Sequence, residues 1–529
     1  MHHETIAILG SGTMGSGIAQ AALVAGLPVI LYDIDDQALE RARQCIGKGL
    51  EKQGHPHLVE HLRLVTVLAD IASASLVIEA VPEQIELKRE LFARVGSICP
   101  APCVITSNTS SLPIMSFASV CQDPQRVAGL HFFNPVHRMA LVEVIQTNQT
   151  DALTIETLLG FVERLGKTPV LARDTPGFIV NRVARPFYGE ALRMFGERIA
   201  THTDIDTIIH KAGGFPLGPF ALMDLIGIDV NFAVTCSMYE QSFGEPRYRP
   251  HLIQQQMVLA GTIGRKTGQG FYTYNDNTPT ANQATADAQP LSGGVLMGGG
   301  SWAPGLADLC THHGLRVIRP KPDSDGEDSA IAPVFESQLS IQKEVHTAFV
   351  IAGNREHADE QIATFDRLLP AKLPIFAQCC DIPLGELAVS LRHPERLVGF
   401  DGLFTDSIMT LVALPCLSDE ARTSAEALVR GLGRQPIWIT DTPALVLPRV
   451  VTMLANEAAF AFGEGIADAD TIDTAIRLGA NHPIGPLARA QQIGYKKIVA
   501  ILDHLHAEYG EERYRVAPAL RRAARLGKL

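Results

Sequence analysis

The sequence predicts an α/β domain with a parallel, doubly wound sheet, followed by an all-α domain, with a degenerate second copy of both behind them. Three observations predict it. Short apolar runs alternate with helical stretches as far as about Asp174, and beyond it the pattern changes to long helical stretches punctuated by Gly-Pro, as in GGFPLGPF (Gly213–Phe220). The chain then repeats itself. DTPGFIVNRV (Asp174–Val183) returns as DTPALVLPRV (Asp441–Val450), and PQRVAGLHFF (Pro124–Phe133) returns as PERLVGFDGLF (Pro394–Phe404). DIDTIIHKAGGFPLGPF (Asp204–Phe220) returns as TIDTAIRLGANHPIGPL (Thr471–Leu487).

The elements of the first copy follow in order. Ile6–Leu9 is an apolar run that enters a Gly-rich turn, and Met14–Ala25 carries helical periodicity. Pro28–Tyr32, Leu76–Val81 and Cys103–Asn108 are short β-rich runs bounded by polar or Pro signals. Strands separated by helices imply a parallel sheet. Val127–Phe133 and Ala140–Gln146 are joined only by the turn-like NPVHRM, so they read as neighbouring strands. The helical region ends at GFYTYN (Gly270–Asn275), and Thr-, Asn-, Ala- and Gln-rich residues follow with the makeup of a linker. The expected organisation is therefore 1–174 and 175–275 for the first copy, a linker over 276–292, and 293–440 and 441–529 for the second. The stretch Lys321–Ala332 is poorly patterned, which predicts a smaller or incomplete second sheet.

A chain of 529 residues is too long for one core. Its 46% hydrophobic and 19% charged residues are those of an ordinary globular protein. A net charge of −12 argues against a nucleic-acid or acidic-membrane partner, so any anion site must be a local patch. There is no apolar run long enough to span a membrane, and MHHETIAILG lacks the features of a signal peptide. A cytoplasmic location is expected. Nine cysteines without CxxC spacing read as free thiols, and no metal site is expected.

Gly10-Ser11-Gly12-Thr13-Met14-Gly15 lies between an apolar strand and a helix, the context that gives a GxGxxG pattern its meaning. The glycines allow a tight turn and let a pyrophosphate approach the helix N-terminus. Asp33 ends the next strand, where a carboxylate accepts from an adenosine ribose and repels a 2′-phosphate. This is a Rossmann dinucleotide site, with NAD preferred to NADP. The second copy keeps Gly298, Gly300 and Ala303 but sets Lys321 opposite Asp33, so it is not expected to hold NAD.

His131 and Glu143 fall on the two neighbouring strands, where a carboxylate can bond one imidazole nitrogen and fix the tautomer of a general base. Taken singly, His131 reads equally as a core residue, Glu143 as a strand residue, Ser110 as a helix cap and Asn181 as a helix-interior hydrogen bonder. The duplication decides between these readings. Anchored on Pro113/Pro383 and Gly129/Gly399, Ser110 faces Cys380, His131 faces Asp401 and Glu143 faces Ala413; across the shared DTP, Asn181 faces Pro448. The apolar and turn positions around them persist while all four polar groups are lost.

GSGTMGSGIAQ, SNTSSL, AGLHFFNPV, LVEVI, DTPGFIVNRV and GFPLGPFALMDLIG together resemble the 3-hydroxyacyl-CoA dehydrogenase family almost continuously over residues 4–275. The resemblance implies NAD as cofactor and an acyl-CoA as substrate. It makes His131 the base that takes the C3 hydroxyl proton, and Glu143 its support. Ser110 and Asn181 become hydrogen-bonding groups for substrate or nicotinamide. Glu83, Lys88, Asn134 and Lys266 match the family's additional NAD contacts. Its coenzyme-A contacts fall on the helical hairpin after Asp33, where this chain departs from the pattern and offers Lys48 and Lys52. The duplicated layout, with RPFYGEALR, LIGIDVNFAVTCSMY and EYGEERYR, most resembles the two-copy bacterial branch that acts on 3-hydroxyadipyl-CoA in phenylacetate catabolism. A 3-hydroxybutyryl-CoA or general β-oxidation role is the alternative. Related β-hydroxyacid dehydrogenases carry a catalytic lysine where this chain has GFIVNR. A non-enzymatic descendant fits the second copy and not the first. Family members of single length pair through their helical domains, which implies an intrachain pseudo-dimer here.

Overall fold

The computed structural model describes residues 5–274, 291–298, 303, 305–318, 345–351, 355–404 and 407–529. The expected linker residues 276–290, together with Gly300 and Lys321, lie outside them. The chain divides into two compact units: the first comprises residues 1–185, 233–248 and 457–488, and the second 186–232, 249–456 and 489–529.

The first unit is built on eight strands: β1 (Ile6–Leu9), β2 (Val29–Tyr32), β3 (Leu62–Val65), β4 (Leu76–Glu79), β5 (Val104–Ser107), β6 (Val127–Phe132), β7 (Leu141–Gln146) and β8 (Thr168–Arg173). Their order is β3-β2-β1-β4-β5-β6-β7-β8, parallel throughout except for the antiparallel β6–β7 pair. Central strands such as β1, β2 and β4 are buried at every residue, as expected of a parallel sheet covered on both faces. Ile8, Leu31 and Ile78 of the sheet join Ile18 and Leu23 of the helix α1 (Thr13–Val24) in one core. The helix α2 (Asp36–Lys52) starts where the Asp35 side chain accepts from the Gln37 N–H, and it adds Leu39, Ile46 and Leu50. β3 and β8 were not expected from the sequence. Both are edge strands with exposed residues, so neither carries a continuous apolar run.

The second unit holds β9 (Gly294–Met297), β10 (Arg316–Ile318), β11 (Val345–Val350), β12 (Ile375–Gln378), β13 (Leu397–Phe400), β14 (Ile408–Ala413) and β15 (Gln435–Thr440). Their order, β10-β9-β11-β12-β13-β14-β15, repeats the first sheet with one strand fewer among the described residues, and β13–β14 is again the antiparallel pair. A buried arginine lies just ahead of β6 in the first copy and just ahead of β13 in the second. Arg126 donates to the carbonyls of Gly96, Cys99 and Cys103, and Arg396 to those of Asp366, Pro370 and Leu373.

Register corrects one internal alignment. In the first sheet His131 pairs with Glu143. In the second, Gly399 pairs with Val412 and the Asp401 N–H donates to the Thr410 carbonyl, so Glu143 corresponds to Thr410 and not to Ala413. The connection between the two strands is shorter by three residues in the second copy, a deletion that anchors on the first strand alone cannot register. The carboxylate is lost in either alignment.

Each unit contains helices from the other copy. In the first, the helix Ala469–Gly479 lies on β7 and β8, and the Arg173 N–H donates to the Ile466 carbonyl. In the second, Ile208–Ala212 lies on β14, and the Thr440 N–H donates to the Ile199 carbonyl. The buried ion pairs repeat this exchange. Arg182 meets Glu457 at 2.8 Å in the first unit, and Arg449 meets Glu190 at 2.8 Å in the second. No single helix among the described residues is long and apolar enough to cross a membrane.

Candidate active site

The Gly-rich turn follows β1. Gly10 has φ +102°, a conformation that disfavours any side chain, and a Cβ there would meet the Ala80 carbonyl oxygen at 2.6 Å. A Cβ on Gly12 would meet nothing within 4 Å, so this side of the turn is open. Gly12 caps α1 without a side-chain hydrogen bond, which leaves the first helical N–H groups and the dipole facing the opening. A cleft of about 1280 Å³ extends from here, lined by Gly10, Gly12, Thr13, Met14, Asp33 and Asn134, and it runs on past Lys48 and Lys52 of α2.

Asp33, just past β2, is locked by its neighbours. Its Oδ2 accepts from the Ser11 N–H at 2.8 Å and the Ser11 hydroxyl at 2.7 Å, and its Oδ1 from the Asp35 N–H at 3.2 Å. Burial works to raise this carboxyl, but the Ser11 and Asp35 hydrogen bonds outweigh it and hold Asp33 below its ordinary range. A charged acceptor at the end of the second strand, beside an open Gly-rich turn, fits the adenosine ribose and pyrophosphate of NAD. Ser11 was not singled out in the sequence, although it lies inside the motif.

On the other side of the cleft a buried charge network shapes the loop after β5. Lys88 on the helix α3 (Ile85–Ile98) is 1% exposed, and its ammonium bonds Glu79 at 2.9 and 3.0 Å and Glu83 at 2.9 Å. Glu83 accepts from the Thr109 hydroxyl and from the N–H groups of Ser110 and Ser111 at 3.1 and 3.3 Å. Burial pushes the Glu83 carboxyl up, but Lys88 and these hydrogen bonds more than compensate and lower it. Lys88 therefore acts on the loop through Glu83. Asn108 completes the loop's attachment by accepting from the Phe132 N–H at 2.8 Å.

The antiparallel β6–β7 register places His131 and Glu143 side by side, with Nδ1 to Oε2 at 2.7 Å. Both are buried, at 5% and 0% exposure. The other carboxylate oxygen accepts from the Ile179 and Val180 N–H groups, each at 3.0 Å. These donors become available because Gly177 and Phe178 both have positive φ, turning the chain just ahead of the short helix Val180–Val183. Asn181 on that helix donates from its amide to the Ser110 carbonyl at 3.2 Å. Asp174 ties the same segment to the loop by accepting from the Ile114 and Met115 N–H groups at 3.0 and 2.8 Å. The structure thus brings His131, Glu143, Ser110 and Asn181 into one connected set. Asp174 could have been flagged from the sequence, because the repeat preserves it as Asp441, which accepts from the Gly385 N–H at 3.0 Å. Lys266 belongs to the second unit, where it bonds Asp229 at 2.6 Å.

The matching place in the second sheet has different chemistry. Asp401 is 1% exposed, and its Oδ1 accepts from the Leu403 N–H at 2.9 Å and lies 3.7 Å from the Cys380 thiol. Its Oδ2 has no hydrogen-bond partner among the described residues. Burial, only partly offset by the Leu403 and Phe404 N–H groups, pushes this carboxyl up to about 7.

A mostly parallel sheet with an open Gly-rich turn at its first strand is the arrangement of a dinucleotide-binding domain. The model for the NAD-binding domain of 3-hydroxyacyl-CoA dehydrogenases matches residues 5–175, and the model for their C-terminal domain matches 177–274 and again 445–529. The chain belongs to the 3-hydroxyacyl-CoA dehydrogenase family. It is 36% identical over 533 residues to the 3-hydroxyadipyl-CoA dehydrogenase of Escherichia coli, covering 99% of this chain and 98% of that one. Human mitochondrial hydroxyacyl-coenzyme A dehydrogenase is 38% identical over 284 residues, which cover 51% of this chain and 90% of the human protein. Among solved structures, a 3-hydroxybutyryl-CoA dehydrogenase from Escherichia coli superposes with a TM-score of 0.79 at 34% identity, over 99% of both chains.

Proposed function

We propose that the chain oxidises (3S)-3-hydroxyacyl-CoA thioesters to 3-oxoacyl-CoA with NAD, that 3-hydroxyadipyl-CoA is its preferred substrate, and that it serves phenylacetate degradation. The observation that carries the chemistry is the buried His131–Glu143 pair with both carboxylate oxygens engaged. With Nδ1–H donating to Glu143, the lone pair of His131 Nε2 is left to take the proton of the C3 hydroxyl. Glu143 cannot rotate away, because two backbone N–H groups hold it, so it keeps the ring oriented and offsets the positive charge that develops on it. The nicotinamide of NAD supplies the acceptor for the hydride that leaves C3. Ser110 and Asn181 position the substrate oxygens or the nicotinamide side, and Glu83 with Lys88 fixes the loop that presents Ser110. Asp33 and the turn Gly10–Gly15 hold the dinucleotide, with Asn134 on the cleft wall. Lys48 and Lys52 lie where the coenzyme-A moiety is expected.

The substrate reading is supported by the near full-length similarity to the 3-hydroxyadipyl-CoA dehydrogenase. The similar solved structure described as a 3-hydroxybutyryl-CoA dehydrogenase favours the alternative. Values of kcat/KM for the two thioesters with NAD separate them. Large discrimination for 3-hydroxyadipyl-CoA supports the proposal, and preference for 3-hydroxybutyryl-CoA overturns the substrate assignment.

The second copy is proposed to stand in for a partner subunit. The exchange of helices, with Arg182–Glu457 mirrored by Arg449–Glu190, is the reciprocal pairing expected of a twofold dimer interface.

A further inference from the structure

We infer that Glu79 is a positioning residue for the oxidation, holding the loop that carries Ser110 from behind without meeting substrate or cofactor. The inference rests on the 3-hydroxyacyl-CoA reading above and adds to it a residue outside the cleft. Glu79 ends β4 and is 0% exposed, so it has no surface from which to touch a ligand. Both of its oxygens are filled. Oε1 accepts from the Val81 N–H at 2.7 Å and from the Lys88 ammonium at 2.9 Å. Oε2 accepts from Lys88 at 3.0 Å and from the Ser107 hydroxyl at 2.6 Å. Each partner leads to the site. Val81 lies on the cleft wall with Ala80 and Pro82. The Ser107 oxygen accepts in turn from the Thr109 N–H at 3.2 Å. The Lys88 ammonium also bonds Glu83, which takes the Thr109 hydroxyl and the Ser110 and Ser111 N–H groups. Glu79 therefore grips the loop at its start through Ser107, and along its length through Lys88 and Glu83.

The second copy builds the same place without charge. In the first sheet Glu79 is level with Ser107, and Ser107 with Gly129. In the second, Val350 is level with Ala377, and Ala377 with Gly399. Gly129 and Gly399 correspond, so Val350 stands for Glu79 and Ala377 for Ser107. Counted from β9 instead, the place of Glu79 falls on Phe349, which is equally apolar. Lys88 is the fourth residue of α3, with Leu91, Phe92 and Val95 buried along the same face. Ala358 is the fourth residue of the equally long helix Arg355–Leu368, with Gln361, Ile362 and Phe365 buried in the same rhythm, so it stands for Lys88. Val350, Ala358 and Ala377 are all buried. Carboxylate, ammonium and hydroxyl are thus lost together, in the copy that also lost Ser110, His131 and Asn181, while the sheet persists. Burying an ion pair is costly, and well-packed apolar residues often serve stability as well or better. The fold has an apolar solution at this place, and only the copy with the Ser110 loop keeps the charged one.

The test uses two variants of the full chain, with Tm, kcat and KM measured for NAD and 3-hydroxybutyryl-CoA. Glu79→Gln keeps the shape of the side chain and gives up its charge. The combined variant Glu79→Val, Lys88→Ala, Ser107→Ala imports the residues of the second copy. It is expected to keep a Tm close to that of the wild type while kcat falls by about 10²-fold, the cost of displacing reacting groups by roughly 1 Å. Glu79→Gln should lower kcat by a smaller factor and leave both KM values nearly unchanged, as when a group acts on the transition state and not on binding. A combined variant with lowered Tm and unchanged kcat would show that the network serves folding alone, and overturns the inference. Where the combined variant does not fold, the kcat of Glu79→Gln decides, and a wild-type value there overturns the inference. A wild type that turns over no 3-hydroxyacyl-CoA overturns the enzyme reading and the inference with it, whereas an active wild type with an equally active Glu79→Gln overturns the inference alone.

Discussion

His131 and Asp401 occupy the same position in two sheets, and their surroundings set their fates. His131 has a carboxylate partner whose second oxygen is satisfied by two N–H groups, whereas Asp401 is buried with one oxygen unpartnered among the described residues. His131→Gln should leave NAD affinity nearly intact and lower kcat by ~10²–10⁴-fold, the usual worth of a general base; near-wild-type turnover would rule the mechanism out. Asp401→Asn should change turnover little but alter the dependence of stability on pH. With its carboxyl raised from 3.8 to about 7, the folded state binds a proton that the unfolded state releases across that interval. This group therefore makes stability fall as pH rises from about 4 to about 7. The Tm advantage of Asp401→Asn over wild type should grow between pH 5 and pH 8, and a pH-independent difference would contradict the assignment. The candidate set could be picked out in the sequence because the repeat offered an internal comparison, and the structure brings its members together. The N–H groups of Ser11, Ile179 and Val180 were not legible, because backbone donors leave no residue-type signal.

At the scale of elements, the helix Ala469–Gly479 shows how the second copy can support the first. A Cβ on Gly479 would come 2.7 Å from Leu141 Cδ2 and 2.8 Å from Val180 Cγ2. Val180 is one of the two residues whose N–H groups hold Glu143, and Leu141 begins the strand that carries it. Gly479→Val should therefore strain this contact, cost about 1–3 kcal/mol of stability, and reduce kcat more than it changes the KM for NAD. An unchanged kcat in a variant with lowered Tm would show that the contact serves folding alone. The central strands were legible as uninterrupted apolar runs. The edge strand β8 was not, because TPVLAR alternates exposed and buried residues and carries Pro169. The pairing of Glu143 with Thr410 was hidden for another reason: the deletion lies in a turn, where no pattern marks the missing residues.

At the scale of the whole molecule, the repeat that first suggests two equivalent units describes two sheets with unequal chemistry and shared structural supports. Buried arginines and DTP aspartates persist in both copies, and the candidate groups His131, Glu143, Ser110 and Asn181 persist in one. The exchange of helices was partly legible, since Arg182/Arg449 and Glu190/Glu457 recur at matching positions; their pairing partners lie far apart in sequence and only the fold joins them. A truncation at the linker that leaves residues 1–276 would remove Ala469–Gly479 from β7 and β8. Light scattering should then show self-association or loss of solubility, with reduced turnover, whereas a soluble, monomeric and fully active fragment would refute the pseudo-dimer. The central claim is that one working dehydrogenase is joined to a copy that no longer binds cofactor. Calorimetric titration of the full chain with NADH measures this directly. One binding site per chain, retained in His131→Gln while turnover is lost, is the expected result, and two sites per chain would contradict the account.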